Sequence, residues 1–173
     1  MASASHDDFL ATTLPALDLV YNLARRTVRD PTLVEDVVQE TYVRAFEAWS
    51  SGRKPRKVEP WIATICLNVG RGVWRKASTR RESLSERPPE RPSDDEVEEQ
   101  ALRNVQRELI HRAIWELPEE QRITITLMDV DGFTAAQVAA ITGAPRGTVL
   151  SRAHRGRKRL ARLLEARVTI NET

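Results

Sequence analysis

The stretch LPEEQRITITLMDVDGFTAAQVAAITGAPRGTVLSRAHRGRKRL, residues 117–160, constrains the fold of this chain more than any other. Pro118 suits a first helical position, since its missing N–H would be unpaired there in any case. Ile123, Leu127 and Val130 follow at helical spacing and are expected to face inward. Asp131-Gly132 ends that helix. Thr134 is placed to cap the next one, with Gln137 three residues on as its capping-box partner. Val138, Ala139 and Ile141 give this short helix an apolar stripe. Gly143 can adopt positive φ, and Pro145 fits the first turn of the helix that follows. That last helix turns Val149, Ala153, Leu160, Leu163 and Leu164 inward, and sets Arg146, Arg152, Arg155, Arg157, Lys158 and Arg159 on its other face. Two helices joined by a tight glycine turn, the second one basic, make a helix-turn-helix. A helix fits the major groove, and its arginines and lysines neutralise phosphates. The alternative is a solvated basic face on an ordinary bundle helix. The agreement of caps, turn and charge favours the first.

The charge pattern also divides the chain. The net charge is only +2, but a basic C-terminal helix is offset by an acidic run near the middle. From Ser78 to Glu99 the sequence is rich in proline, serine and charge, too poor in apolar residues to fold alone. Pro88, Pro89 and Pro92 favour extended backbone there, and Asp94, Asp95, Glu96, Glu98 and Glu99 follow. A helix from about Asp94 to Glu116 is expected next, with Val97, Ala101, Val105, Leu109, Ala113 and Ile114 along one side. Leu117-Pro118 ends it, and the tail after Arg167 is expected to fray.

Ahead of the divide, Met1–Ser5 read as a disordered leader and helical periodicity begins at Asp7. Pro15 marks a kink or a restart, and Asp30-Pro31 a break and a new N-cap. A helix over about Thr32–Trp49 has Val34, Val37, Val38, Thr41, Ala45 and Trp49 inside. Asp36, Gln39, Glu40 and Arg44 lie outside, Glu40 and Arg44 as an i,i+4 pair. The basic loop with Arg53, Lys54, Arg56 and Lys57 leads into a helix starting near Pro60-Trp61. This helix buries Trp61, Ile62, Ile65, Cys66, Val69 and Val73 and exposes Asn68, Arg71, Arg75 and Lys76. Basic side chains beside aromatics suit single-stranded DNA, where phosphates are paired and bases stacked, although the loop also reads as a soluble linker. Trp74 suits stacking and packing equally. Gly70 and Gly72 each weaken this helix by about 1 kcal/mol relative to alanine.

The single cysteine, Cys66, cannot form an internal disulfide and reads as a core filler in a reducing compartment. His6, His111 and His154 are far apart, so no metal-ligand cluster is expected. No phosphate loop or nucleophile motif is found, so neither a cofactor nor catalysis by the chain itself is expected. No apolar run is long enough to span a bilayer, and no signal-peptide pattern is present.

Residues 117–160 resemble region 4 of the extracytoplasmic-function sigma factors, small sigma-70 relatives that direct bacterial RNA polymerase. Gly147-Thr148-Val149, Ser151-Arg152 and His154-Arg155-Gly156-Arg157 are similar to that family's recognition helix. VEDVVQETYVRAF, residues 34–46, resembles the region 2 helix that docks on the β′ clamp helices. Pro60-Trp61-Ile62 and Leu67-Asn68 resemble the segment that reads the −10 element. Leu67 and Gly72 depart from the family's usual arginine and aspartate.

The resemblance implies an all-α chain of two small helical bundles joined by a flexible linker. Region 2 would cover 7–78, the acidic linker 79–94 and region 4, with the helix-turn-helix, 95–168. It implies a sigma factor that binds core RNA polymerase, including its β flap, and directs initiation from promoter DNA. On it, Arg146, Thr148, Leu150, Ser151, Arg152, His154, Arg155 and Lys158 meet the −35 element. Arg53, Lys54, Arg56, Lys57, Trp61, Asn68, Arg71, Arg75 and Lys76 meet the −10 element. Asp36, Gln39, Glu40 and Arg44 contact the polymerase. Control by an anti-sigma factor is implied, with the region 4 wording nearest to members governed by zinc-containing ones, as is a bacterial cytoplasmic location. A stand-alone helix-turn-helix regulator accounts for the C-terminal half but not for residues 34–46 or the loop before Trp61.

Overall fold

The fold begins with a helix where a leader was expected: in the computed structural model, which describes residues 2–80 and 98–171, α1 runs Ala2–Thr13. Among the described residues every regular element is helical. A 3-10 turn at Leu14–Ala16, with Pro15 inside it, separates α1 from α2 (Leu17–Thr27), so the proline marks a restart. Asp30 caps the next turn, accepting from the Thr32 backbone N–H at 3.0 Å and its hydroxyl at 2.6 Å. Then α3 spans Val34–Ser50 and α4 Val58–Arg80.

These four helices bury Phe9, Val20, Leu23, Val37, Ala45, Ile62, Cys66 and Leu67 in one core. Phe9 sits edge-on to Tyr42, Phe46 and Trp49, with ring centroids at 6.3, 5.2 and 5.7 Å. Thr13, Thr27 and Thr41 are buried but satisfied, each hydroxyl donating to the carbonyl one turn back at 2.6–2.8 Å. Leu67, where the family usually has arginine, is fully buried, so this position is part of the core. Gly70 also serves packing: a Cβ there would lie 2.5 Å from Thr27 Cγ2, which marks a close α2–α4 crossing. Trp61, Ile65 and Val73, expected inside, are only partly buried.

The C-terminal helices are α5 (Glu98–Trp115), α6 (Glu119–Ile125), α7 (Ala135–Thr142) and α8 (Arg146–Asn171). Residues 81–97 lie outside the described ones, and with them the expectations for Pro88, Pro89, Pro92, Asp94, Asp95, Glu96 and Val97. Pro118 stands just before its helix in extended backbone (φ −51, ψ 143), and its carbonyl accepts the Arg122 N–H at 2.9 Å. Pro145 likewise precedes α8 and accepts from the Val149 N–H at 3.0 Å.

Beyond Ile125 the helix widens into a π turn, Thr126–Val130, in which the Asp131 N–H reaches the Thr126 carbonyl at 2.9 Å. The extra residue in this turn rotates the register. Ile123 and Leu127 are buried as expected, but Val130 is 49% exposed.

The two helical groups do not stand apart. α7 packs on α4 and α6 on α2, and one apolar cluster runs from Phe9 through Leu67 to Ile123, Val138 and Val149.

Candidate nucleic-acid interface

The geometry of α8 is set by the turn before it. Thr134 caps α7 with a complete capping box: the Gln137 N–H donates to Thr134 Oγ1 at 3.3 Å, and Gln137 Oε1 accepts from the Thr134 N–H at 2.9 Å. Gly143 then reverses the chain at φ 73, a left-handed conformation that costs a side chain with a Cβ about 1–2 kcal/mol. α8 leaves this turn with Val149 and Ala153 buried against the bundle. Gly156 allows a close approach to α6, since a Cβ there would come within 2.9 Å of Ile125 Cγ1.

With that face fixed, the other face is open. Arg146, Leu150, Ser151, His154, Arg155 and Lys158 are exposed, and Thr148 and Arg152 are partly buried. Leu150 is 47% exposed, an apolar side chain in the middle of a polar helix face and suited to a thymine methyl. Arg155 is braced on its own helix, donating from Nε and Nη2 to the Ser151 carbonyl and Oγ at 3.3 and 2.9 Å. Arg157 forks onto Asp129 of the π turn at 3.0 and 2.6 Å, an added tie between α8 and the element beneath it. Arg152 pairs with Glu120 on α6. Among the described residues, Arg152 is the −35 candidate that meets a carboxylate from another element, while Arg146, His154, Arg155 and Lys158 are exposed.

The −10 candidates are more scattered. Arg53, Lys54, Arg56 and Lys57 are all exposed in the loop before α4. Lys54 is drawn back onto the bundle, 2.8 Å from Asp8 Oδ2 and 4.6 Å from the Trp49 ring centroid. Trp61 packs against the core while part of its surface stays open, and Asn68 is exposed one face further along α4. Arg71 Nε approaches Glu119 Oε1 of α6 at 3.8 Å. Arg75 and Lys76 belong to α4, but their side chains lie outside the described residues.

On α3, Asp36, Gln39 and Arg44 are exposed and Glu40 is partly so, with Arg44 Nε 2.6 Å from Glu40 Oε1. Val43, 53% exposed, sits among them, so the face combines a charge pattern with one apolar contact.

Sequence reasoning gave no role to the residues that join the two helical groups. Arg122 is buried, its Nε donating to the Arg26 carbonyl at 2.9 Å and its Nη1 to the Trp115 and Leu117 carbonyls at 3.4 and 3.3 Å. Its guanidinium lies 4.3 Å from the Trp115 ring centroid, and burial, partly offset by Glu119, brings its pKa down to about 10, so it stays charged. Glu119 and Glu120, in the first turn of α6, each meet an arginine from another helix. Cys66, by contrast, is where the sequence put it. It is fully buried, its Sγ 3.5 Å from the Val20 carbonyl, and burial pushes its thiol up to about 12. Among the described residues no group of acidic, His and Cys side chains could hold a metal, and no helix is long and apolar enough to cross a membrane.

Comparison with known proteins identifies the family. The family model for sigma-70 region 2 matches residues 15–80, and that for sigma-70 region 4 matches residues 107–160. An ECF RNA polymerase sigma factor SigE of Mycolicibacterium smegmatis is 33% identical over 145 residues, which cover 83% of this chain and 56% of that protein. An ECF RNA polymerase sigma factor SigM of Mycobacterium tuberculosis is 33% identical over 148 residues, covering 84% of this chain and 71% of SigM. Among solved structures, the sigma factor RpoE in its complex with the anti-sigma factor NepR, from Bartonella quintana, aligns with a TM-score of 0.72 at 27% identity. That alignment covers 91% of this chain and 97% of RpoE. CnrH, solved with the cytosolic domain of CnrY, aligns with a TM-score of 0.66 at 25% identity, over 95% of this chain and 94% of CnrH. An all-α fold with a capped helix-turn-helix, both sigma-70 regions in order, and relatives matched over most of the chain together place this protein in the extracytoplasmic-function sigma factors of RNA polymerase.

Proposed function

We propose that this chain directs core RNA polymerase to promoters through three separate surfaces, with region 2 over 7–78, a linker over 79–94 and region 4 over 95–168. The observation that carries the reading is the outer face of α8, basic and open, held on the bundle by Val149, Ala153 and the close contact at Gly156. In this reading Arg146, Arg152 and Arg155 contact guanine edges or phosphates of the −35 element, while Thr148 and Ser151 position the helix on the backbone. The loop Arg53–Lys57 and α4, with Trp61, Asn68, Arg71, Arg75 and Lys76, take the opened −10 strand. Asp36, Gln39, Glu40 and Arg44 meet the β′ clamp helices, and region 4 meets the β flap.

Relatives solved with NepR and CnrY support an anti-sigma partner for this chain as well, and a zinc-containing one is the class we favour. The chain would act in the cytoplasm, beside the polymerase, and have no catalytic role of its own.

The test is promoter binding with and without core polymerase, using run-off transcription on genomic fragments to find the promoter. The chain with core should bind that promoter tightly and specifically, and Arg155→Ala should weaken −35-dependent binding by about 1–3 kcal/mol. Tight, specific binding to a duplex by the chain alone would instead favour a stand-alone regulator. Unchanged holoenzyme binding by the Arg155→Ala variant would refute the −35 assignment.

A further inference from the structure

The outer face of α8 is polar and basic, with one apolar side chain set into it. At about 100° per residue, Gly147, Leu150, Ser151 and His154 fall on the side of the helix away from Gly156, and all four are exposed. A single exposed leucine is ordinary on a protein surface. Leu150 differs in its setting: it is 47% exposed, with Arg146 one turn before it, His154 one turn after it and Ser151 beside it. Gly147 adds an independent observation. Its φ is not positive, and a Cβ placed on it would meet nothing within 4 Å. Glycine weakens a helix relative to alanine, and neither the turn nor the packing of this fold asks for it here. The use left for a bare backbone in the first turn of α8 is the close approach of a partner. Leu150, one turn further along the same strip, reaches what Gly147 admits.

In the major groove thymine presents an apolar group, its 5-methyl, while the other base edges present hydrogen-bond donors and acceptors. A leucine laid on those edges strips them of water without pairing them. Methylation of cytosine at ring carbon C5 creates the same apolar knob that thymine carries. We propose that Leu150 reads the 5-methyl group of one pyrimidine in the −35 element. The proposal rests on the −35 reading above and adds a base preference that the neighbouring arginines do not supply, since arginine reads guanine edges and phosphates. Leu150 favours thymine over uracil and cytosine at that step, and promoter affinity responds to cytosine methylation there.

The test uses the holoenzyme, this chain with core RNA polymerase, on the promoter that run-off transcription identifies. Each thymine of the −35 element, on either strand, is replaced in turn by deoxyuridine, and binding of each labelled fragment is titrated. For wild type one replacement should weaken binding about three- to fivefold, the size expected for one methyl buried against an apolar side chain. With Leu150→Ala the same replacement should leave binding unchanged, and Leu150→Met should keep much of the effect. Removing a methyl also alters the duplex itself, so the difference between wild type and Leu150→Ala isolates the contact. At the same position, a fragment with 5-methylcytosine should bind wild type about three- to fivefold better than one with cytosine, and bind Leu150→Ala equally. Leu150 is exposed, so the variants keep their fold, which circular dichroism verifies.

The proposal is overturned if no thymine replacement weakens wild-type binding, or if the −35 element holds no thymine. It is also overturned if Leu150→Ala suffers the same loss as wild type, or if methylation of the cytosine changes nothing. Arg155→Ala, titrated on the unmodified promoter, separates these results from a failure of the underlying reading. If it weakens binding while every thymine replacement is silent, Leu150 does not read a methyl and the −35 reading stands. If Arg155→Ala is without effect as well, the −35 reading falls too.

Discussion

Gly70 and Gly72 lie two residues apart on α4, and the structure predicts opposite outcomes for the same substitution. At Gly72 an added Cβ meets nothing within 4 Å, so Gly72→Ala should stabilise the chain by about 0.5–1 kcal/mol through helix propensity. At Gly70 the Cβ would lie 2.5 Å from Thr27 Cγ2 and 3.0 Å from Thr27 Cβ. Thr27 cannot swing away freely: it is buried, and its hydroxyl donates to the Leu23 carbonyl at 2.7 Å. Relieving the clash means parting α2 and α4 or giving up that hydrogen bond, and overpacking of this kind costs about 1–3 kcal/mol. Set against a propensity gain of up to about 1 kcal/mol, Gly70→Ala should destabilise by about 1 kcal/mol net. Urea unfolding followed by circular dichroism measures both, with unchanged slopes confirming that only stability moved. The two variants should fall on opposite sides of wild type, with melting points shifted by about 2–4 °C per kcal/mol. Thr27→Ser removes the clashing methyl and keeps the hydroxyl, so in the Gly70→Ala background it should cost less than in wild type, a coupling of about 1 kcal/mol. If Gly70→Ala is as stable as Gly72→Ala, or the two changes are additive, the close crossing at Thr27 is not what the glycine serves.

Thr134→Ala breaks the capping box of α7 and should cost about 1 kcal/mol in the same unfolding assay, while Thr134→Ser should be near neutral. Burial raises the Asp131 carboxyl from 3.8 to about 6, with Arg26 pulling the other way. An acid whose folded pKa is raised favours folding at low pH and loses that contribution as pH climbs through the folded value. Asp131→Asn should therefore remove a fall in stability that wild type shows as pH rises from 3.8 to about 6, read from unfolding midpoints across that range. Cys66, buried with its thiol pushed up to about 12, should react with a thiol reagent at pH 8 only as fast as the core opens. Sub-denaturing urea should then accelerate the labelling, and labelling at the rate of a free thiol would refute the buried placement.

The features legible in the sequence are those written in a few consecutive residues. The Thr134 and Gln137 capping box, the positive-φ Gly143 and the Asp30 cap follow from local backbone needs that nothing distant alters. The outward setting of Arg155 and the burial of Val149 and Ala153 follow from helical period alone. What was not legible depends on partners far along the chain. Val130 was placed inside because a uniform helix was assumed; the π turn at Thr126–Val130 carries it out. Gly70 was read as a weak point because Thr27, its reason for being small, is on another helix. Arg122 drew no expectation, since no local pattern signals a guanidinium that spans to the Arg26 carbonyl. For the same reason the arginine partners of Glu119 and Glu120 could not be read from LPEEQR.

The contact at Gly156 sets a ruler along α8. Because the helix advances about 100° per residue, inserting one residue between Ser151 and Gly156 would turn Arg146, Leu150 and Ser151 by that angle relative to the anchored end. The loop at Arg53–Lys57 is tied to the bundle at Lys54 and is not part of a helix, so a change in its length does not rotate a helical face. Chains that share this architecture should therefore hold the spacing from turn to anchor constant and vary elsewhere, and changes in promoter preference should come from substitution along that interval, not from insertion within it.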